Sequence, residues 1–250
     1  MAANFMEMLG ALTRSGLAPS SEGRMRNVLD LFSGKESAGL QEMFSGLLGR
    51  GQSFMNRAEQ AVGGRENLAA AGVGALLGAL SGRSSAPLKG LGGGLMGLLG
   101  MMAFKALKNA GQNPQPPVGL IENPTPGQAQ QLENDAHLVL TAMLDAAKAD
   151  GKIDADELNR ITGRMKEVGI DQDGMNYVLS QLQSPMSTEA IVAAVRGRPE
   201  LAAQVYSASL MAVEVDTLAE RTYLERLAQS MGLTPEVVGN IEQLVGMQSA

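Results

Sequence analysis

Four carboxylates fall within eight positions of Ala147 to Leu158, AKADGKIDADEL: Asp150, Asp154, Asp156 and Glu157. Acidic residues at loop spacing are the ordinary ligands of a hard cation. A twelve-residue calcium loop takes oxygens from positions 1, 3, 5, 7, 9 and 12, with glycine at 6. With Gly151 at position 6, Asp150, Asp154 and Glu157 stand at 5, 9 and 12, so the second half of the loop is in order. The first half is not, because Ala146 and Lys148 occupy positions 1 and 3. Neither is an oxygen ligand, and the lysine ammonium repels a cation. Starting the loop at Asp150 instead puts Ala155 where glycine belongs and Ile161 where the bidentate glutamate belongs. As a self-contained calcium loop the stretch fails.

A related segment lies downstream in AVEVDTLAERTYLERLA. Glu220 aligns with Glu157, Leu224 with Ile161, Met231 with Val168 and Gly232 with Gly169. Asp216 aligns with Asp154 once an extra residue is allowed in the second loop. The pattern reads as two helix-loop-helix units, each with an acidic loop. Packed about a pseudo-twofold axis, they would bring Asp150, Asp154, Glu157, Asp216 and Glu220 together as ligands of Ca²⁺, Mg²⁺ or Mn²⁺. The same acids have another physical role. Carboxylates in a first helical turn accept from free amides and offset the helix dipole, each worth about 0.3–1 kcal/mol when exposed. Asp154 and Glu157 also have capping-box spacing. A metal site needs the two loops to converge, whereas caps do not.

Other chemistries find little support. His137 is the single histidine, which removes paired-histidine metal sites and leaves it as a partly buried packing residue on an apolar helix. Without cysteine there are no disulfides, thiol nucleophiles or thiolate metal sites. The serines lack a nucleophile elbow or serine-lysine signature, and KGLGGGLMG lacks the Lys-Ser/Thr of a phosphate loop. Arg196 and Arg198, beside Pro199, read as a solvated interhelix turn. With five Phe, three Tyr and no Trp, stacking platforms for single-stranded nucleic acid are not expected. These residues point to a non-enzymatic protein with no nucleic-acid partner.

The elements that must position the acids are helices. A hydrophobic content of 44% over 250 residues is ample for a core, built here from aliphatics and 16 methionines. Residues 128–250 form an expected all-α domain of about seven helices. Apolar residues recur at helical spacing in seven segments, from ENDAHLVLTAMLDAAKAD to TPEVVGNIEQLVGM. Thr234 before Pro235 reads as a helix start, and Gly169 and Gly232 as helix ends.

The preceding half is a different physical object. Residues 1–127 carry 11 Lys plus Arg against 8 acids, and residues 128–250 carry 9 against 18. Residues 1–66 hold short amphipathic fragments ended by glycine, among them FMEMLGALTRSG and RMRNVLDLFSG, which are either disordered or interaction helices that order against a partner. The start lacks the basic and apolar regions of a cleaved signal peptide. Residues 67–108 contain two uncharged glycine-rich stretches, Asn67 to Gly82 and Gly90 to Phe104, bracketed by Lys or Arg. They are shorter than the roughly 20 residues a spanning helix requires. Their glycines nevertheless recur every fourth residue, at Gly74, Gly78 and Gly82, the pattern that lets helices approach closely in lipid. Two readings stand: a membrane-associated helical hairpin, or a flexible glycine-rich tether. Residues 109–127, with five prolines, read as an extended linker.

The order of glycine-rich apolar half, proline-rich linker and helical domain with AAKADGKIDADEL and AVEVDTLAERTYLERLA resembles the uncharacterised bacterial YebE-like inner-membrane proteins. Their C-terminal domain resembles TerB, the tellurite-resistance protein. The resemblance covers about residues 67–247. It implies an all-helical bundle at the bacterial inner membrane, with the C-terminal domain in the cytoplasm and no established activity. It also implies metal binding through acidic residues, which falls here on Asp150, Asp154, Glu157, Asp216 and Glu220. The functional expectation is a membrane-tethered interaction or stress-sensing module. It would contact membrane lipid or membrane-protein helices through residues 67–108 and an unidentified protein elsewhere. The alternative is a divalent-metal-binding domain.

Overall fold

A computed structural model describes residues 8–9, 23–24, 26–28, 94–120, 125–151, 153, 155–167 and 170–247, without the side chains of Leu120, Ala155, Asp156, Glu157, Arg160, Arg164 and Glu167. Among these residues there are eight α-helices of eight residues or more, one 3₁₀ turn and no strand. The helices are α1 Gly94–Asn109, α2 Pro126–Ala146, α3 Ala155–Glu167, α4 Gln172–Gln183, α5 Thr188–Val195, α6 Pro199–Ala212, α7 Leu218–Ser230 and α8 Pro235–Leu244. The seven helices expected after the linker are α2 to α8, and the all-α bundle is the observed architecture.

Local chemistry sets the helix starts. Thr125 begins α2 by accepting from the Gln128 amide, with Gln128 reaching back to the Thr125 amide and Pro126 in the first turn. Asp171 accepts from the Gly174 amide at 2.8 Å to begin α4. Thr234 begins α8 ahead of Pro235. Each side chain satisfies an amide that has no partner inside its helix. Gly232 ends α7 at φ +76°, a conformation that costs glycine no Cβ clash.

Two helices lie at the centre. In α6, Ala202, Ala203, Val205, Tyr206, Ala208 and Leu210 are all buried, and α2 is buried on every side over its last turns, Val139 to Ala146. A helix apolar all round belongs inside a bundle, where its neighbours supply the polar surface. Helix α2 packs along one side of α6 and α1 along another, and α8 covers α1.

The placement of α1 departs from the reading of residues 67–108. The second glycine-rich stretch supplies a core helix: Leu95, Met96, Leu98, Leu99, Met102, Ala103, Ala106 and Leu107 are buried against α6 and α8. Its 16 residues do not cross a bilayer, and no helix among the described residues is long and apolar enough to do so, so a transmembrane helix is not found there. The glycines serve a local contact. A Cβ on Gly100 would stand 2.6 Å from Cβ of Pro117, and one on Gly119 would stand 3.0 Å from the Gly97 amide nitrogen. The small residues thus admit the 3₁₀ turn Val118–Leu120, from the proline-rich segment, onto the helix. Composition marks a boundary between residues 109 and 127 that packing crosses, because apolar area is buried wherever a matching face is available. The first glycine-rich stretch, Asn67 to Gly82, lies outside the described residues.

Two pieces of the N-terminal segment also meet this core. Met8 and Leu9, from FMEMLGALTRSG, are buried, as is Val28 from RMRNVLDLFSG. The Met8 sulfur packs over Gly174 at the start of α4.

Candidate functional site

The two helix-loop-helix units are α2 with α3 and α6 with α7. Their loops differ in length, 147–154 in the first unit and 213–217 in the second. Glu220 is the third residue of α7, as Glu157 is of α3, so the two glutamates occupy equivalent positions. Thr217 is the N-cap of α7 and stands in register with Asp154, the residue before α3. Asp216 falls one position earlier. The first loop, of eight residues, is longer than the second, of five, by three residues upstream of these positions.

In the second unit the acids act as the cap chemistry predicts. The Thr217 hydroxyl accepts from the Glu220 amide at 3.1 Å, and Glu220 Oε2 accepts from the Thr217 amide at 3.1 Å and hydroxyl at 2.9 Å. Asp216 is exposed. In the first unit Asp150 is exposed beside Gly151, whose φ is +89°. Asp154 and the Glu157 side chain lie outside the described residues. Among the described residues no cluster of three metal-ligating side chains forms.

The charges the fold does bring together are different ones. Lys148, at position 3 of the failed calcium frame, is turned inward and 9% exposed. Its Nζ stands 2.8 Å from Asp145 Oδ1 and donates to the carbonyls of Gln181 at 3.0 Å and Ser184 at 3.1 Å. Two of the ammonium protons go to these carbonyls, and the charge faces Asp145 Oδ1 as an ion pair. Asp145 is fully buried, and its Oδ2 accepts from the Ser187 amide at 2.5 Å. One ion pair thereby ties the end of α2 to the last carbonyls of α4 and the N-cap residue of α5. Asp145 carries no motif signal. Only its place on the all-buried half of α2, with a basic residue three positions on, could have marked it.

Beside this pair a polar stripe runs back along α2 at Thr141 and His137. The Tyr177 hydroxyl of α4 lies 3.1 Å from Thr141 Oγ1 and 2.8 Å from His137 Nε2, and Thr141 donates to the His137 carbonyl at 2.9 Å. Burial lowers the His137 pKa, only partly opposed by Glu133, and burial raises that of Tyr177. Burial and then the Asp145 charge raise the Tyr223 pKa, keeping that phenol protonated. His137 packs as expected, tilted on the Tyr177 ring with centroids 5.5 Å apart. Arg198, read as part of a solvated turn, pairs with Asp135 at 2.6 Å in a half-exposed bridge.

The second unit also receives a buried cation, from far away in sequence. Arg24 is 8% exposed, and its Nη1 donates to the carbonyls of Leu210 and, at 2.5 Å, Val213. Its Nη2 donates to the Glu214 carbonyl at 2.8 Å. Leu210 and Val213 lie at the C-terminus of α6, where carbonyls lack helical partners and the dipole favours positive charge, and Glu214 follows in the turn. Burial lowers the Arg24 pKa, and Glu214 and Glu220 act against that shift. The following residue, Val215, has φ +59°. A β-branched residue in the left-handed region carries strain of about 1–3 kcal/mol, which the surrounding contacts must hold. Three residues beyond Arg24, the Asn27 amide donates to the Val245 carbonyl at 3.3 Å, over Gly246.

The described residues form an all-helical body, and the family that the chain matches is a TerB-like one. The model of the family described as "Protein of unknown function (DUF533)" matches residues 61–245, and the chain belongs to that family. The chain is similar to a Yersinia enterocolitica protein described as "Uncharacterized protein in ampR 5'region", at 28% identity over 116 residues. That match covers 46% of this chain and 83% of the relative. No solved structure matches the chain.

Proposed function

We propose that the protein is a non-enzymatic helical interaction module of the bacterial inner membrane. In this reading its glycine-rich stretch Asn67 to Gly82 supplies the membrane contact and the helical body engages a protein partner in a stress response. The observation that carries the reading is the destination of the buried charges. Arg24, Asp145 and Lys148 are spent on helix ends, where they fix geometry. A core that consumes α1 narrows the membrane contact to the first glycine-rich stretch, whose sixteen uncharged residues fit association better than spanning.

Flotation of the full-length chain with vesicles of bacterial lipid tests it. The wild type is expected to float, and Leu76→Asp with Leu77→Asp to remain at the bottom of the gradient. A wild-type chain recovered wholly in the soluble fraction, with no detergent-dependent pool, overturns the membrane reading.

The alternative is a divalent-cation site, and it now leans on the first loop, because Glu220 spends Oε2 on the Thr217 cap. Calorimetry of the full-length chain with Ca²⁺, Mg²⁺ and Mn²⁺ decides it. Heat that is lost in Asp150→Asn supports a site, and no heat at millimolar metal leaves the acids as caps.

A further inference from the structure

The end of α6 and its turn form a receptor whose occupant is another part of the same chain. Four features define it. The guanidinium fork of Arg24 spreads over three backbone carbonyls, those of Leu210, Val213 and Glu214. That planar arrangement suits a guanidinium and not a compact ammonium. The carboxylates of Glu214 and Glu220 stand close enough to bias the same group toward its charged form. Asn27 and Val28 seat the same short segment, one on the end of α8 and the other in the core. Lastly, Val215 is held left-handed directly after the two carbonyls that Arg24 engages, so the turn has a relaxed form available when the guanidinium leaves.

The contrast with Lys148 is informative. Lys148 has its ion-pair partner three residues away and its carbonyls 33 and 36 residues away, whereas Arg24 lies 186 residues from Leu210. A ligand on so long a connection is held at a finite effective concentration, and a free copy of the same segment competes with it.

We propose that the C-terminal end of α6 with the turn Val213 to Thr217 is an arginine-binding site, and that Arg24, with Asn27 and Val28 beside it, is its intramolecular ligand, an exchangeable latch. An arginine-bearing helical segment of a partner protein takes the same seat when the latch is released. The site thus gives the interaction module proposed above a definite surface. It does not depend on the membrane, and the experiment below contains none.

The test uses the full-length chain and a fluorescent peptide of residues 20–30, SSEGRMRNVLD. The peptide is expected to bind Arg24→Ala at least about tenfold more tightly than the wild type, whose seat is filled. The same peptide with its Arg24 replaced by alanine and Arg26 kept is expected not to bind. Ethylguanidinium at millimolar concentration is expected to raise the melting temperature of Arg24→Ala and leave that of the wild type in place, with ethylammonium ineffective on both. Should Arg24→Ala fail to fold, Asn27→Ala loosens the same latch and is expected to show the same peptide preference. Equal peptide binding by wild type and variants, or no binding to either variant, overturns the proposal. An ethylguanidinium response shared by the wild type also overturns it.

Discussion

The two helix-loop-helix units solve one electrostatic problem by opposite routes. At each a buried cation covers carbonyls at a helix C-terminus, those of α4 in the first case and those of α6 in the second. In the first unit the cation is Lys148, carried by the loop that follows α2 and neutralised by Asp145 one turn earlier. In the second it is Arg24, delivered from the N-terminal segment and left with backbone oxygens and two flanking carboxylates. The Asp145–Lys148 pair forms within one turn of chain and meets carbonyls 33 and 36 residues away, while Arg24 closes a loop of 186 to 190 residues and depends on the docking of a separate segment. In the latch proposed above, the first unit is the permanent part of the body and the second the conditional part.

The largest expected effect breaks the permanent staple. Asp145→Ala leaves Lys148 buried without its counter-ion and should lower the unfolding free energy by about 3–5 kcal/mol, read from denaturant midpoints. Asp145→Ala combined with Lys148→Met should recover most of that loss. A double variant no more stable than the single one would mean that the pair is not the staple.

Next comes the support under the conditional unit. Leu99→Ala empties a fully buried site between α1 and α6 and should cost about 2–5 kcal/mol. A cost near zero would place α1 outside the core.

A smaller effect separates caps from ligands. Thr217→Ala removes the hydroxyl that begins α7 and should cost about 1 kcal/mol, equally with and without divalent metal. A cost that appears only when metal is present would return Glu220 to the role of ligand.

The smallest effect is a pH dependence confined to the first unit. Burial holds the His137 pKa below its ordinary 6.5, so the folded state favours the neutral ring. Its contribution is fully present above that value and is lost as the pH falls through the lowered folded value. Unfolding free energy should thus decline on acidification below pH 6.5, with a one-site slope no steeper than about 1.4 kcal/mol per pH unit. Because His137 is the single histidine, His137→Gln should flatten the profile in that window. An unchanged slope in the variant would assign the effect elsewhere.

The helices α2 to α8 were legible because periodicity and caps are local signals. Thr234 with Pro235, and Gly232 at the end of α7, act in the structure as their chemistry predicts. Helix α1 was misjudged for a physical reason. Glycine at every third or fourth position describes any close backbone approach, and the spacing does not say whether the visitor is a helix in lipid or Pro117 of the same chain. The site was less legible still. The acids that drew attention include Glu220, which is a cap, and Asp150 and Asp216, which are exposed. Asp145 and Arg24 sit in stretches with no motif, and their importance comes from burial.

By itself the sequence determined the all-helical class, the seven helices after the linker, the start of α8 at Thr234, the end of α7 at Gly232 and the failure of the calcium loop at Lys148. All of these depend on neighbours within a turn or two of helix. The tertiary structure alone decided that Lys148 turns inward onto α4, that the glycine-rich helix α1 joins the core, and that Arg24 closes α6. Each of those outcomes depends on which distant carbonyl or apolar face a side chain meets, and no spacing along the chain encodes that meeting.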